Sequence, residues 1–301
     1  MAGVIALISM ESVSRAYCPL KYVVKMDDAE LGWKGTEVMG DPEAKKTKIF
    51  FVGDSFTADY LYGKMYFDII KQNLDIEVFA YGGFGYGTMQ EYLVINRYID
   101  KIRPDLVVLQ VCSNDFINNS WDMERKSYIH NNYNMRPYYE NGKINYRFPR
   151  GPAFLRKYVI PHSRLAYLAA LRIDRKLARL AYKGRLKTVE DDIEAKGLDF
   201  NEFKQSVGTT SELMKMIKSR CGKTPIIAFP VFDDEPYFSR FKAIFKDIDI
   251  DFLSDMPKIV WSSEEKEKIR NNDHWTKKGQ AACGEYLTGY IKANFLEKNR
   301  H

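Results

Sequence analysis

The sequence predicts an α/β fold, a three-layer α/β/α sandwich around a five-stranded parallel sheet. Two observations predict it. Short apolar runs of strand length alternate with segments of helical periodicity over residues 47–111, and the alternation resumes over 224–295. Strands separated by helices pair in parallel and are covered on both faces. The 301 residues suffice for a large core and suit one elaborated domain, read as 47–296, with an insertion at about 116–220.

Each element has its own signal. Residues 1–46 form an N-terminal segment. Its apolar run Ala2 to Met10 is too short to span a bilayer, which needs about 20 residues. It also lacks a basic leader region. It reads either as the remnant of a membrane anchor or as a helix packed on the domain, and both readings stay open. Lys48 to Gly53 (K-I-F-F-V-G) is a buried parallel strand ending in a turn. Phe56 to Leu74 carries Tyr60, Leu61, Phe67, Ile70 and Leu74 at helical spacing. Ile76 to Tyr81 is the second strand. Thr88 to Arg103 is a helix stopped by Pro104, and Asp105 to Val111 is the third strand.

Residues 116–220 break the pattern and read as a mainly helical insertion. Asn118 to Arg150, rich in Asn, Tyr and Arg, is an irregular excursion. Ser163 to Lys187 is a basic amphipathic helix, expected to pack on its own domain with Arg and Lys outward in preference to binding a membrane. Thr224 to Pro230 is the fourth strand, Glu235 to Phe245 a helix and Ile248 to Leu253 the fifth strand. A last helix runs from about Lys277 to Phe295, with Thr276 as its N-cap.

Composition excludes some classes. The 46 basic and 40 acidic residues give a charge of +6, read as spread along the chain and solvated. No basic tail or nucleic-acid motif is present, so no nucleic-acid partner is expected. Cys18, Cys112, Cys221 and Cys283 are too widely spaced for a zinc pattern, and Cys112 and Cys221 read as buried free thiols. No metal and no cofactor is expected.

Four motifs carry chemistry, and each falls at the carboxyl end of a strand or before the last helix, where open parallel sheets form their sites. Gly53-Asp54-Ser55-Phe56 follows the first strand and opens a helix, a seat whose backbone N–H groups favour developing negative charge. Gly82-Gly83-Phe84-Gly85-Tyr86-Gly87 follows the second strand. Its glycine spacing does not fit a dinucleotide loop. Cys112-Ser113-Asn114-Asp115 follows the third strand and offers a side-chain amide. Asn271-Asn272-Asp273-His274-Trp275 precedes the last helix. Of the four histidines, His130, His162, His274 and His301, only His274 adjoins a carboxylate in a loop entering a helix.

In order and placement these motifs resemble the SGNH/GDSL hydrolase family over roughly residues 28–295, and the segment Asp28 to Trp33 is similar to a bacterial subgroup with a long insertion and a D-x-H-W-like final block. The resemblance implies a flavodoxin-like sheet, with Ser55 as nucleophile and His274 as base in hydrogen-bond reach of it. It also implies an oxyanion hole from the Ser55 and Gly85 N–H groups and the Asn114 side chain. Two departures stand out. Cys112 replaces the first glycine of the family's G-x-N-D block. Asn271 and Asn272 occupy the acid positions of D-x-x-H and D-x-H, while Asp273 directly adjoins the histidine. Asn272 and Asp273 therefore both remain candidates for the triad's third member. In a serine protease, an Asp-to-Asn change at the corresponding position costs about 10⁴ in rate.

The implied activity is ester hydrolysis through an acyl-enzyme on Ser55. An O-acetyltransferase or esterase acting on cell-envelope polysaccharide is an alternative, and a catalytically weak carbohydrate-binding protein is another. The expected partner is a small-molecule or carbohydrate ester substrate, with membrane association through the N-terminus a further expectation. The cell envelope and the cytoplasm of a bacterium both stay open. Arg136, Tyr138 and Tyr139 in the insertion would suit a carbohydrate, but ordinary packing is the simpler reading.

Overall fold

The computed structural model describes residues 28–58, 60, 63–130, 134–160, 162–263 and 274–297. The apolar run near the N-terminus and the candidate acid positions Asn271, Asn272 and Asp273 lie outside the described residues. The chain divides into two compact units, Gly35–Asn119 with Lys204–His301, and Met1–Lys34 with Ser120–Phe203.

The elements run β1 (Thr36–Val38), β2 (Thr47–Gly53), α1 (Ser55–Ala58), α2 (Tyr66–Asn73), β3 (Ile76–Gly82), α3 (Thr88–Ile102), β4 (Leu106–Val111) and α4 (Asn114–Asn118). There follow α5 (Trp121–Glu124), β5 (Arg136–Glu140), β6 (Lys143–Arg147), a π-helical turn at Leu155–Val159, α6 (Arg164–Tyr182) and α7 (Val189–Lys196). The chain continues through α8 (Asn201–Cys221), β7 (Ile226–Pro230), α9 (Tyr237–Asp247), β8 (Asp251–Phe252), α10 (Met256–Ser263) and α11 (Lys277–Ile291).

The first unit is a mostly parallel sheet in the order β1-β3-β2-β4-β7-β8. Five strands pair in parallel, as the apolar runs predict. The sheet has six strands, however, not five: β1 lies antiparallel on the outer edge of β3, with Thr36 opposite Gly82. Three residues carry no readable period, and tertiary pairing alone makes them a strand. All six residues of β4 are buried. Full burial of each of its Val or Leu side chains contributes about 1.5–3 kcal/mol, so this strand anchors the centre.

Other boundaries shift for local reasons. The helix expected over 56–74 is two helices, α1 and α2, with Gly63 between them at φ +98°. The helix before Pro104 ends as expected: Arg103 takes a left-handed conformation and its N–H closes on the Ile99 carbonyl. The fifth parallel strand contracts to Asp251–Phe252. Thr276 caps α11 by accepting from the Lys278 N–H at 3.2 Å.

The second unit is not wholly helical. β5 and β6 form an antiparallel hairpin with Glu140 opposite Lys143. Its turn is Asn141-Gly142, both at positive φ (52° and 75°), the pair that suits a two-residue turn whose twist matches the strands. Inside this unit Glu124 forms an ion pair with Arg136 Nε at 2.8 Å and accepts from the Tyr138 hydroxyl at 2.8 Å, with all three side chains buried. The Arg136 guanidinium also lies 4.9 Å from the Trp33 ring centroid. Arg136 and Tyr138 are thus packing residues, and only Tyr139 is half-exposed.

Candidate active site

The register of the sheet brings three of the motif loops together. Gly53 pairs with Gly82, so β2 and β3 end level, and Val52 also pairs with Leu109 of β4. Ser55, the Gly82–Gly87 turn and Cys112–Asp115 therefore leave the same rim of the sheet. Gly82 sits where a Cβ would come within 2.7–2.8 Å of the backbone of Asp54, Thr57 and Ala58. Only glycine lets that turn press against the short helix that Ser55 opens.

Ser55 begins α1 and is buried. Its Oγ lies 2.7 Å from His274 Nε2, within the range of a hydrogen bond between a hydroxyl and an imidazole. Two residues 219 apart in sequence are brought into contact by the sheet and by the loop before α11. The imidazole is held by its surroundings. Phe56 stacks beneath it with ring centroids 4.7 Å apart and planes at 21°. Trp275, the next residue, is buried against Phe56 and Phe229. Thr276 then starts the helix. Histidine is thereby fixed between a buried indole and a helix cap, on a phenyl face.

Phe84 flanks the histidine from the other loop, its ring centroid 6.1 Å away and its side chain 53% exposed. An exposed phenyl beside a Ser–His pair is a surface for an apolar part of a ligand. Gly85 follows it at φ +68°, a conformation that costs an L-residue roughly 1–2 kcal/mol. The backbone there is turned in a way that glycine alone adopts without strain.

Asn114 opens α4 with its side chain buried. Its Nδ2 donates to the Tyr86 carbonyl at 3.1 Å and to Asn118 Oδ1 at 2.9 Å. The amide therefore ties the loop after β4 to the loop after β3. To donate to an oxyanion it must exchange one of these two bonds. Cys112 N–H donates to Asp115 Oδ2 at 3.0 Å, which closes the turn beneath. The cysteine, in place of a glycine, is buried, and burial pushes its thiol well above its usual range. It is not poised as a nucleophile.

Beneath the serine lie three buried carboxyl groups, Asp54, Glu91 and Asp115. Asp54 accepts from the Phe56 N–H at 3.0 Å, and its own N–H donates to Gln110 Oε1 at 3.0 Å. Burial pushes Asp54 up to about 6, opposed by the Phe56 N–H and by the charge of His274. Glu91, in the first turn of α3, is fully buried, and neither of its carboxyl oxygens has a hydrogen-bond partner among the described residues. Burial, then the charges of Asp115 and Asp54, push it well above the usual carboxylate range. Like charges this close oppose one another's ionisation, which adds to the effect of burial.

Of the residues expected from the sequence, Ser55 and His274 are in contact, and Gly85 and Asn114 stand in adjoining loops linked by the Asn114–Tyr86 bond. Asn272 and Asp273 lie outside the described residues. Three contributors were not anticipated. Phe56 has the pattern of an ordinary apolar helix position. Gln110 sits in an apolar strand, and its buried amide oxygen also accepts from Thr57 Oγ1 at 3.0 Å. That lone polar residue in L-V-V-L-Q-V was the available signal, since a strand interior keeps a buried amide only where it is used. Phe84 carries no signal of its own among its glycine neighbours.

Comparison with known proteins adds a partial likeness of chain trace. No family model and no curated protein sequence matches the chain. Among solved structures, a lipase/acylhydrolase from Enterococcus faecalis is similar at 14% identity and a TM-score of 0.43, covering 82% of this chain and 95% of that one. A GDSL-like lipase from Bacteroides thetaiotaomicron is similar at 13% identity and 0.42, covering 83% and 89%. A catalytic mutant of an acetylxylan esterase from Geobacillus stearothermophilus is similar at 12% identity and 0.42, covering 84% and 95%.

Proposed function

We propose that the chain is a serine-dependent ester hydrolase of SGNH/GDSL type, built as an α/β/α sandwich and acting through an acyl-enzyme on Ser55. The observation that carries this reading is the 2.7 Å contact between Ser55 Oγ and His274 Nε2, with the ring oriented by Phe56 and anchored through Trp275.

In the first step Ser55 Oγ attacks the ester carbonyl carbon while His274 Nε2 takes the hydroxyl proton. The negative charge that develops on the carbonyl oxygen is met by the N–H groups of Ser55 and Gly85. The Asn114 amide joins them by giving up its bond to Tyr86 or to Asn118. His274 returns the proton to the departing alcohol oxygen, leaving an ester on Ser55. Water, deprotonated by His274, then attacks that ester and releases the acid. A sugar hydroxyl in place of water would make the same acyl-enzyme a transferase. The exposed Phe84 ring suits an apolar part of the substrate.

The test pairs an active-site label with turnover. A fluorophosphonate should label the wild type and fail to label Ser55→Ala. Hydrolysis of 4-nitrophenyl acetate should fall about 10⁴-fold in Ser55→Ala and comparably in His274→Ala, since the two act as a unit. Turnover that survives Ser55→Ala undiminished overturns the proposal. An unlabelled wild type that still binds glycans would favour the binding-protein alternative.

A further inference from the structure

The positive charge of this protein is not spread along the chain. Residues 150–187 hold 11 of the 46 Lys and Arg residues and a single acid, Asp174, of the 40. Without that segment the remainder is acidic overall. The segment comprises the π-helical turn at Leu155–Val159 and the helix α6, both within one unit.

The helix turns Arg and Lys outward, as its amphipathic pattern predicts, while most of its apolar side chains are only half-buried. Tyr167 and Ala181 are its only buried side chains among the described residues. Arg172, Ile173, Arg175, Lys176 and Arg179 are exposed or half-exposed, and Arg172, Lys176 and Arg179 share one face at i, i+4 and i+7. Ile173 is 58% exposed beside them. The preceding turn exposes Phe154 (66%), Leu155 and Tyr158 (55%), with Lys157 between them. The Phe154 and Tyr158 rings lie 5.6 Å apart, and Lys157 Nζ sits 5.2 Å from the Tyr158 ring centroid. The one acid is already engaged: Asp174 pairs with Arg156 at 3.3 Å, with both side chains largely buried, and this pair ties the turn to the helix. What remains outward is basic and apolar together.

We propose that this segment is a docking surface for an anionic lipid bilayer. The exposed Arg and Lys of α6 meet lipid phosphates, while Phe154, Tyr158 and Ile173 seat at the boundary between headgroups and acyl chains. Charge complementarity selects the anionic partner, and the exposed aromatic pair selects a bilayer over a soluble polyanion, which needs no apolar contact. The attachment is peripheral, for among the described residues no helix is long and apolar enough to cross a membrane. It rests on none of the catalytic assignments.

The experiment is vesicle flotation with the full chain, comparing phosphatidylcholine alone with phosphatidylcholine containing phosphatidylglycerol. Binding should require phosphatidylglycerol and weaken as salt is added. Each basic residue near the surface contributes about 5-fold in partitioning, so Arg172→Gln, Lys176→Gln and Arg179→Gln together should weaken it about 100-fold. Phe154→Ser with Tyr158→Ser should weaken it as well, in a way that salt does not reproduce. Circular dichroism and thermal melting should show that these exposed changes leave the fold intact. Equal binding to both vesicle types, or none to either, overturns the proposal. So does a serine pair that binds as wild type while a soluble anionic polysaccharide displaces the vesicles, because the surface would then be a polyanion site.

Discussion

Asp54 offers the sharpest test of the electrostatics beside Ser55. Its carboxyl is buried and raised from 3.8 to about 6, chiefly by loss of solvent. In the unfolded chain the same group titrates near its ordinary value. Between about pH 4 and pH 6 the folded protein therefore holds a proton that the unfolded chain has released. Folding stability falls with rising pH across that window, because the native state binds more protons than the unfolded one. A shift of about two units, at about 1.4 kcal/mol each, makes the loss about 3 kcal/mol. Asp54→Asn removes the titration while keeping an oxygen for the Phe56 N–H bond. Urea unfolding of wild type and variant should give nearly equal stabilities at about pH 4, and the variant should gain about 3 kcal/mol relative to wild type by about pH 7. Glu91 responds in the same sense, since removal of the Asp54 charge eases its ionisation. A difference that stays constant over this range, or shrinks as pH rises, would refute the account.

Two further outcomes are expected. Arg136→Met leaves Glu124 buried without its guanidinium, and breaking such a pair costs about 3–5 kcal/mol; thermal melting should show a large drop, whereas a shift within error would mean that Glu124 is neutral in the native protein. Asn272→Asp should raise the rate of 4-nitrophenyl acetate hydrolysis if residue 272 holds the His274 ring; a rate that is unchanged or lower assigns that task to Asp273.

The sheet was legible because its signal is redundant. β4 is six apolar or buried residues in a row, and Pro104 stops the helix before it, so each reading supports the other. β1 was not legible, since Thr36, Glu37 and Val38 become a strand only because β3 offers an open edge. The hairpin in the insertion had a strong local signal in Asn141-Gly142 between Tyr138-Tyr139 and Ile144, masked by the Asn- and Arg-rich composition around it. At the site, Ser55 and His274 were legible as a candidate pair because loop chemistry demands particular residue types, and the structure brings them into contact. Phe56, Gln110 and Glu91 were not, because their roles are set by what lies across the sheet or beneath it. Asp174 shows the same limit from the other side. In the sequence it is one acid in a basic helix; in three dimensions it pairs with Arg156 of the preceding turn.

The carboxyl groups under the serine bear on the asparagines at the acid positions. The Asp-to-Asn cost in a serine protease has two parts, the ring's orientation and the charge that stabilises imidazolium. Here part of the orientation comes from packing: Phe56 lies under the ring, and the chain on its far side is pinned by Trp275 and by the Thr276 cap. Asp54 is coupled electrostatically to His274, whose charge opposes the effect of burial on its carboxyl. In the proposed mechanism a carboxyl group one residue before Ser55 would thus act electrostatically on the histidine, whichever residue holds the other ring nitrogen.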